Sequence, residues 1–178
     1  WTANTWHHVA VTKTNNTVKL WLDGQEKASV SHTSAITSTN DLGIGSDNGV
    51  SASMYYNGYM DEFRISNTAR YTANFTPSTT AFTSEANTKL LIHSDTTSEG
   101  IVDSSSNSYA ITKEGGVGIS AAQKKFGISS MSFSDITGTG YGVYNANGFT
   151  LGTGNFTWEA WIRTNNTSTD PQQIFSLY

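Results

Sequence analysis

The chain has 178 residues, no cysteine and a formal net charge of −4, and only 13% of its residues are charged. Disulfides, thiolate nucleophiles and thiolate metal sites are thereby excluded, and there is no Lys/Arg cluster to neutralise nucleic-acid phosphates or to form a basic membrane-surface helix. The surface must be built from Thr, Ser, Asn and Gly with tyrosine and tryptophan among them, which suits neutral ligands such as sugars and equally suits a plain secreted or particle-bound β protein.

No run approaches the roughly 18 apolar residues of a membrane helix, so a soluble chain is expected. Trp1 stands where a methionine would begin a natural chain, with no leader ahead of it, which implies processing or truncation. Helical periodicity is almost absent, with one short polar candidate between Ile119 and Lys125. Strand signals recur instead. A strand run at residues 6–12 is followed by Asn15-Asn16, and in the next run Val18, Leu20 and Leu22 share one face while Lys19, Trp21 and Asp23 share the other. Asp23-Gly24 then marks a hairpin turn, because such turns need positive φ. Further strands are expected at 42–45, 54–56 and 59–65, the last with Tyr59, Asp61, Phe63 and Ile65 facing away from Met60, Glu62 and Arg64. The polar stretch Ser78 to Thr88, after Pro77, reads as a linker. Beyond it strands are expected at 89–93, 131–133, 141–144 and 156–163, where Phe156, Trp158, Ala160 and Ile162 alternate with Thr157, Glu159, Trp161 and Arg163. Many short strands separated by turn residues specify an all-β, antiparallel two-sheet sandwich or jelly roll.

Six segments resemble the laminin-G-like, concanavalin A-like lectin/glucanase jelly rolls. Trp6-His7-His8-Val9-Ala10-Val11 with Leu20-Trp21-Leu22-Asp23-Gly24, then residues 58–65, then 69–77, are similar to the C-terminal half of that family. Residues 89–93 with 102–107, then Lys125-Phe126-Gly127 with Met131-Ser132-Phe133, then 152–161, are similar to its N-terminal half. The order is rotated. Either the chain carries the end of one tandem sandwich and the beginning of the next, or it folds as one circularly permuted sandwich over 1–178. In the second case 1–77 and 89–178 are the two halves, and 78–88 bridges the old termini. Half a sandwich would leave an apolar sheet face in water, so the halves are expected to complete each other. This happens within one chain or by exchange between chains, and pairing within one chain is preferred.

The resemblance raises hydrolysis, which in the retaining form needs two carboxyl groups about 5 Å apart. The pattern Glu-x-Asp-x-x-Glu is absent, Asp61 and Glu62 are adjacent, and Glu159 stands alone. A non-enzyme is expected. His7 and His8 face opposite ways on a strand, so one packed and one exposed histidine is expected rather than a chelating pair. The resemblance also implies one structural calcium held by Asp61, Asp103 and Asn107, with 103–107 equally readable as an Asx-type turn. Tyr55, Tyr56, Tyr141 and Tyr144, near Asn57, Asn145 and Asn147, have chemistry suited to sugars. The expected role is a non-catalytic carbohydrate-binding or structural, adhesive module of an extracellular, cell-surface or virion-associated repeat protein, with neutral glycans, copies of itself or neighbouring repeats as partners. The rival is a glycoside hydrolase, or a lectin module appended to one.

Overall fold

A computed structural model describes residues 2–36, 42–46, 55–96, 100–133, 142–145, 151–165 and 172–177. Twelve strands are present among them: β1 (His7–Thr14), β2 (Thr17–Leu22), β3 (Gln25–Ser31), β4 (Leu42–Ile44), β5 (Gly58–Ser66), β6 (Thr88–Ile92), β7 (Ile111–Glu114), β8 (Val117–Ser120), β9 (Ser130–Phe133), β10 (Gly142–Asn145), β11 (Phe156–Thr164) and β12 (Phe175–Leu177). All pairings are antiparallel. The large sheet has the order β3-β2-β1-β11-β5-β9-β8, and β6 also pairs with β5. Since β9 takes Gly58–Met60 and β6 takes Phe63–Ser66, the two share one edge of β5 end to end. The small sheet runs β12-β4-β10-β7.

The halves interleave. β1 pairs with β11 from His7↔Ile162 to Lys13↔Phe156, and β11 in turn pairs with β5. In the small sheet β4 lies between β12 and β10. Alternation then decides what is buried. Trp158, Ala160 and Ile162 from β11 join Met60, Phe63 and Ile65 from β5 in the main core, which also takes Leu42 and Ile44 from the small sheet.

Alternation fails at one place. Asp61 pairs with Trp161 and Arg64 with Glu159, so Glu62 and Phe63 together oppose Ala160. This is a β-bulge, and Glu62 sits at φ 53°. The extra residue resets the phase of the strand. Met60 and Phe63 therefore both point into the core, whereas strict alternation had put them on opposite faces.

The stretch 78–88, expected as a linker, lies against the sheet. With 67–77 it forms an irregular strap over the outer face. Phe82 is 5% exposed and packs with Leu91 and Trp161, and its N–H donates to Glu62 Oε2 at 2.6 Å. The strap meets the β2–β3 turn at Gly24, whose carbonyl accepts the Phe75 N–H at 2.9 Å. Gly24 has φ +76°, and a Cβ there would lie 1.8 Å from the Phe75 carbonyl oxygen. Only glycine satisfies both demands.

Three sequence-based elements differ. Tyr55 and Tyr56 lie outside any strand, and Met54 is outside the described residues. The 119–125 stretch ends β8 and turns without a helix. The strand expected at 141–144 is β10 at 142–145, with Tyr141 outside the described residues.

Candidate functional site

The outer face of the large sheet carries a charged network at its centre. Glu159 projects outward from β11 because Trp158 and Ala160 face the core. Its Oε1 accepts Arg64 Nε at 2.9 Å and pairs with Arg64 Nη2 at 2.7 Å. Its Oε2 accepts the Tyr71 hydroxyl at 2.6 Å and lies 3.1 Å from His8 Nε2. His8 and Glu159 are both 0% exposed. Burial alone would raise the Glu159 pKa, but the His8 hydrogen bond and the Arg64 charge outweigh it and hold the carboxyl below its ordinary value. Tyr71 from the strap stacks on Phe75 with centroids 3.5 Å apart, and the Arg64 guanidinium lies 4.0 Å from the Phe82 ring centre. This network is sealed from solvent and fixes the strap on the sheet; it is not a place where a ligand enters.

Beside it, the surface opens into a cleft of about 510 Å³. Its walls come from three separate parts of the chain: the entry to β1 with the β2–β3 turn, the strap at Pro77 to Thr79, and the segment ahead of β9. Trp6 and Phe126 are half-buried against Trp161 and present ring surface. Lys125 Nζ lies 3.8 Å from the Trp161 ring centre, a cation–π contact. Asp23 stands in the hairpin turn at φ 50°, where its Oδ1 accepts the His8 N–H at 2.9 Å and its Oδ2 lies 2.7 Å from His7 Nδ1. His8 is packed, whereas His7, the other of the pair and expected to be exposed, is half-buried at the cleft because Asp23 and the strap close over it.

The back of the Lys125–Phe126 wall is held by acids. Asp61 Oδ2 accepts the Lys125 N–H at 2.8 Å and the Phe126 N–H at 3.1 Å, while Asp95 Oδ1 accepts the Ile128 N–H at 2.7 Å. Between them Gly127, at φ +60°, lies so close to the Asp95 carboxylate that a Cβ would overlap it. Burial pushes the Asp61 carboxyl up to about 7, against the lowering effect of the Phe126 and Lys125 amides and with help from the neighbouring Glu62 and Asp95 charges. His93 Nδ1 lies 2.8 Å from Glu62 Oε1, and that hydrogen bond raises the imidazole pKa.

The three residues nominated for calcium serve different loops. Asp61 holds the Lys125–Phe126 backbone. Asp103 Oδ1 accepts the N–H groups of Leu91 and Ser105, and Oδ2 accepts the Ser105 hydroxyl and the Tyr109 N–H. Asn107 donates its amide to the Lys89 carbonyl at 2.8 Å. Both Asp103 oxygens are thus committed to donors, the arrangement of an Asx-type turn, and this donor set does not fit a hard cation that needs free carboxylate lone pairs. Among the described residues no group of three His, Asp or Glu is placed to hold a metal ion.

The tyrosines suited to sugars are placed otherwise. Tyr56 is 3% exposed and donates its hydroxyl to the Tyr59 carbonyl, and Tyr55 packs against the core. Tyr141 and Asn147 lie outside the described residues, as do the side chains of Tyr144 and Asn145. The cleft residues carried one readable signal: a two-residue turn at Asp23-Gly24 fixes the register that sets Asp23 beside His7 and His8.

The fold is all-β, with two antiparallel sheets around a shared core, an arrangement consistent with a concanavalin A-like sandwich. The family model described as the concanavalin A-like lectin/glucanases superfamily matches residues 1–74, the segment that carries β1 to β5, the first part of the strap and the Trp6, His7 and Asp23 wall of the cleft. No curated protein and no solved structure matches the chain.

Proposed function

We propose that the chain is a non-catalytic carbohydrate-binding module, one circularly permuted sandwich that takes neutral glycans in the cleft between Trp6, His7, Asp23, Phe126 and Lys125. The observation that carries this reading is the cleft itself. Half-buried aromatic rings stand beside hydrogen-bonding groups already fixed in place, as sugar recognition requires: rings for the apolar face of a pyranose, and donors and acceptors for its hydroxyls. The hydroxyls of Thr5, Ser78 and Thr79 extend the polar side. The lectin-like family match over 1–74 supports the same reading. A non-catalytic role is supported by Glu159, which is sealed and saturated by donors, and by Asp61, which is spent on backbone amides. The low charge and the abundance of Ser, Thr and Asn favour an extracellular, cell-surface or virion setting within a larger repeat protein.

A glycan array probed with the chain tests this directly. Specific binding without turnover is expected, and Trp6→Ala should weaken it at least about tenfold, since aromatic contacts dominate such sites. Release of reducing ends from any bound glycan would replace the module with a glycoside hydrolase. Silence across the array, with wild type and variant alike, would leave an architectural spacer.

A further inference from the structure

We propose that a second groove, where β1 and β2 pass beside β12, binds a medium-chain carboxylate. Among the described residues the two sheets are unequal, eight strands against four. β2 and β3 therefore reach beyond their covering layer, and Leu20 is left 45% exposed and Val30 62%. Between this overhang and the segment ahead of β12 lies a cleft of about 370 Å³. Its walls include Val9, Val11, Leu22, Trp158, Ile174 and Phe175, so an apolar body fits it and a sugar does not.

Its polar groups decide the ligand class. Trp158 is 2% exposed, lines the cleft, and its indole N–H has no hydrogen-bond partner. A buried donor without an acceptor costs about 1–3 kcal/mol. Lys27 stands at the rim as the extra residue where the β2–β3 register shifts, and its amine makes no hydrogen bond or ion pair among the described residues. Of the two rim glutamines, Gln172 accepts the Thr164 hydroxyl on its Oε1, and Gln173 donates its amide N–H to the Phe175 carbonyl and keeps its own Oε1 as an acceptor. Two groups, the Trp158 indole N–H and the Lys27 amine, ask for acceptors, against the one acceptor of Gln173, and the amine adds an unpaired positive charge. A peptide brings donors and acceptors in equal number, whereas a carboxylate on an alkyl chain brings only acceptors and a negative charge. The cleft also has the size and the predominantly apolar lining of a small-molecule site.

This site is separate from the glycan cleft and stands or falls independently of it. Decanoate, below its micelle concentration, is titrated into the whole chain and followed by calorimetry and by the Trp158 indole N–H resonance. Saturable binding with a shift of that resonance is expected. Lys27→Gln should weaken decanoate at least about fivefold and leave decanol unaffected, and Leu20→Asp should weaken decanoate further; both positions are exposed, so both variants fold. Absence of saturable binding, equal affinity in Lys27→Gln, or a concentration-dependent dimer that decanoate does not compete with overturns the proposal. The last outcome would assign the face to a second copy of the chain.

Discussion

The two faces of the large sheet are held by opposite means. On the inner face, Phe63, Ile65, Trp158 and Ile162 meet Leu42 and Ile44 of the small sheet, and the free energy comes from area removed from water. On the outer face the covering layer has no regular structure. The strap stays in place because Glu159 gathers Arg64, His8 and Tyr71 while Phe75 and Phe82 pack around them. A strand partner is specified by its alternation, so it accepts many apolar substitutions. A strap held on a buried carboxylate is specified by a few atoms and fails if one of them goes.

The largest expected effect breaks that contrast at its centre. Glu159→Met leaves Arg64 buried without its partner, and unfolding in denaturant should show a loss of about 3–5 kcal/mol. The double variant Glu159→Met/Arg64→Met removes the orphan charge and should recover most of that loss, because apolar replacements of whole buried networks are often neutral. A double variant as unstable as the single one would mean that the outer face depends on its ions for more than pairing.

A smaller effect separates the network from the acids behind the cleft by pH. Asp61 has its folded pKa raised to about 7, so its contribution is full below the ordinary carboxylate range and is lost as pH rises through about 7. His93, also raised, contributes below its unfolded value and is lost on the alkaline side of it. Glu159 is lowered, so its contribution persists through mild acid and is lost only as pH falls below the ordinary carboxylate range. Thermal melting should therefore give a midpoint that is highest at about pH 4, declines towards pH 8 and drops steeply in strong acid. Asp61→Asn should flatten the decline from pH 5 to 8 and leave the acid limb unchanged.

The smallest expected effect is none. Asp61 and Asp103 are satisfied by N–H and O–H donors, so a chelator should leave the melting midpoint unchanged. A fall on adding chelator, restored by calcium, would show that an ion takes over from those donors.

How much of this was legible depended on periodicity. β1, β2, β5 and β11 were readable because their apolar residues alternate, and three of the six segments that carry the lectin-like resemblance contain those strands. β3 was missed because an edge strand exposed along its whole length has no face to betray it. β7 and β8 were too short for the pattern to stand out. The bulge at Glu62 leaves no mark in composition, yet it decides that Phe63 is core. The strap escaped notice because Tyr71, Phe75 and Phe82 are irregularly spaced in a polar stretch, and their role depends on a carboxylate 88 residues from Tyr71. The cleft has the same character: Asp23 beside His7 follows from the turn, but Lys125 reaches Trp161 only through the tertiary fold.

The interleaved strand order also governs how the protein comes into being. β11 has β1 and β5 as its two neighbours, both from the other half of the sequence. The turn after β1 and the residue ahead of β11 are 140 residues apart where Asn15 meets Asn155. Loop closure over such a span precedes any reward from pairing, which places folding among the slow, topology-limited β proteins. On a ribosome adding about 5–20 residues per second, the β1–β2–β3 meander waits on the order of ten seconds for the strand that completes it. During that interval the edge of β1 is bare, and the chain is most exposed to pairing with a stranger.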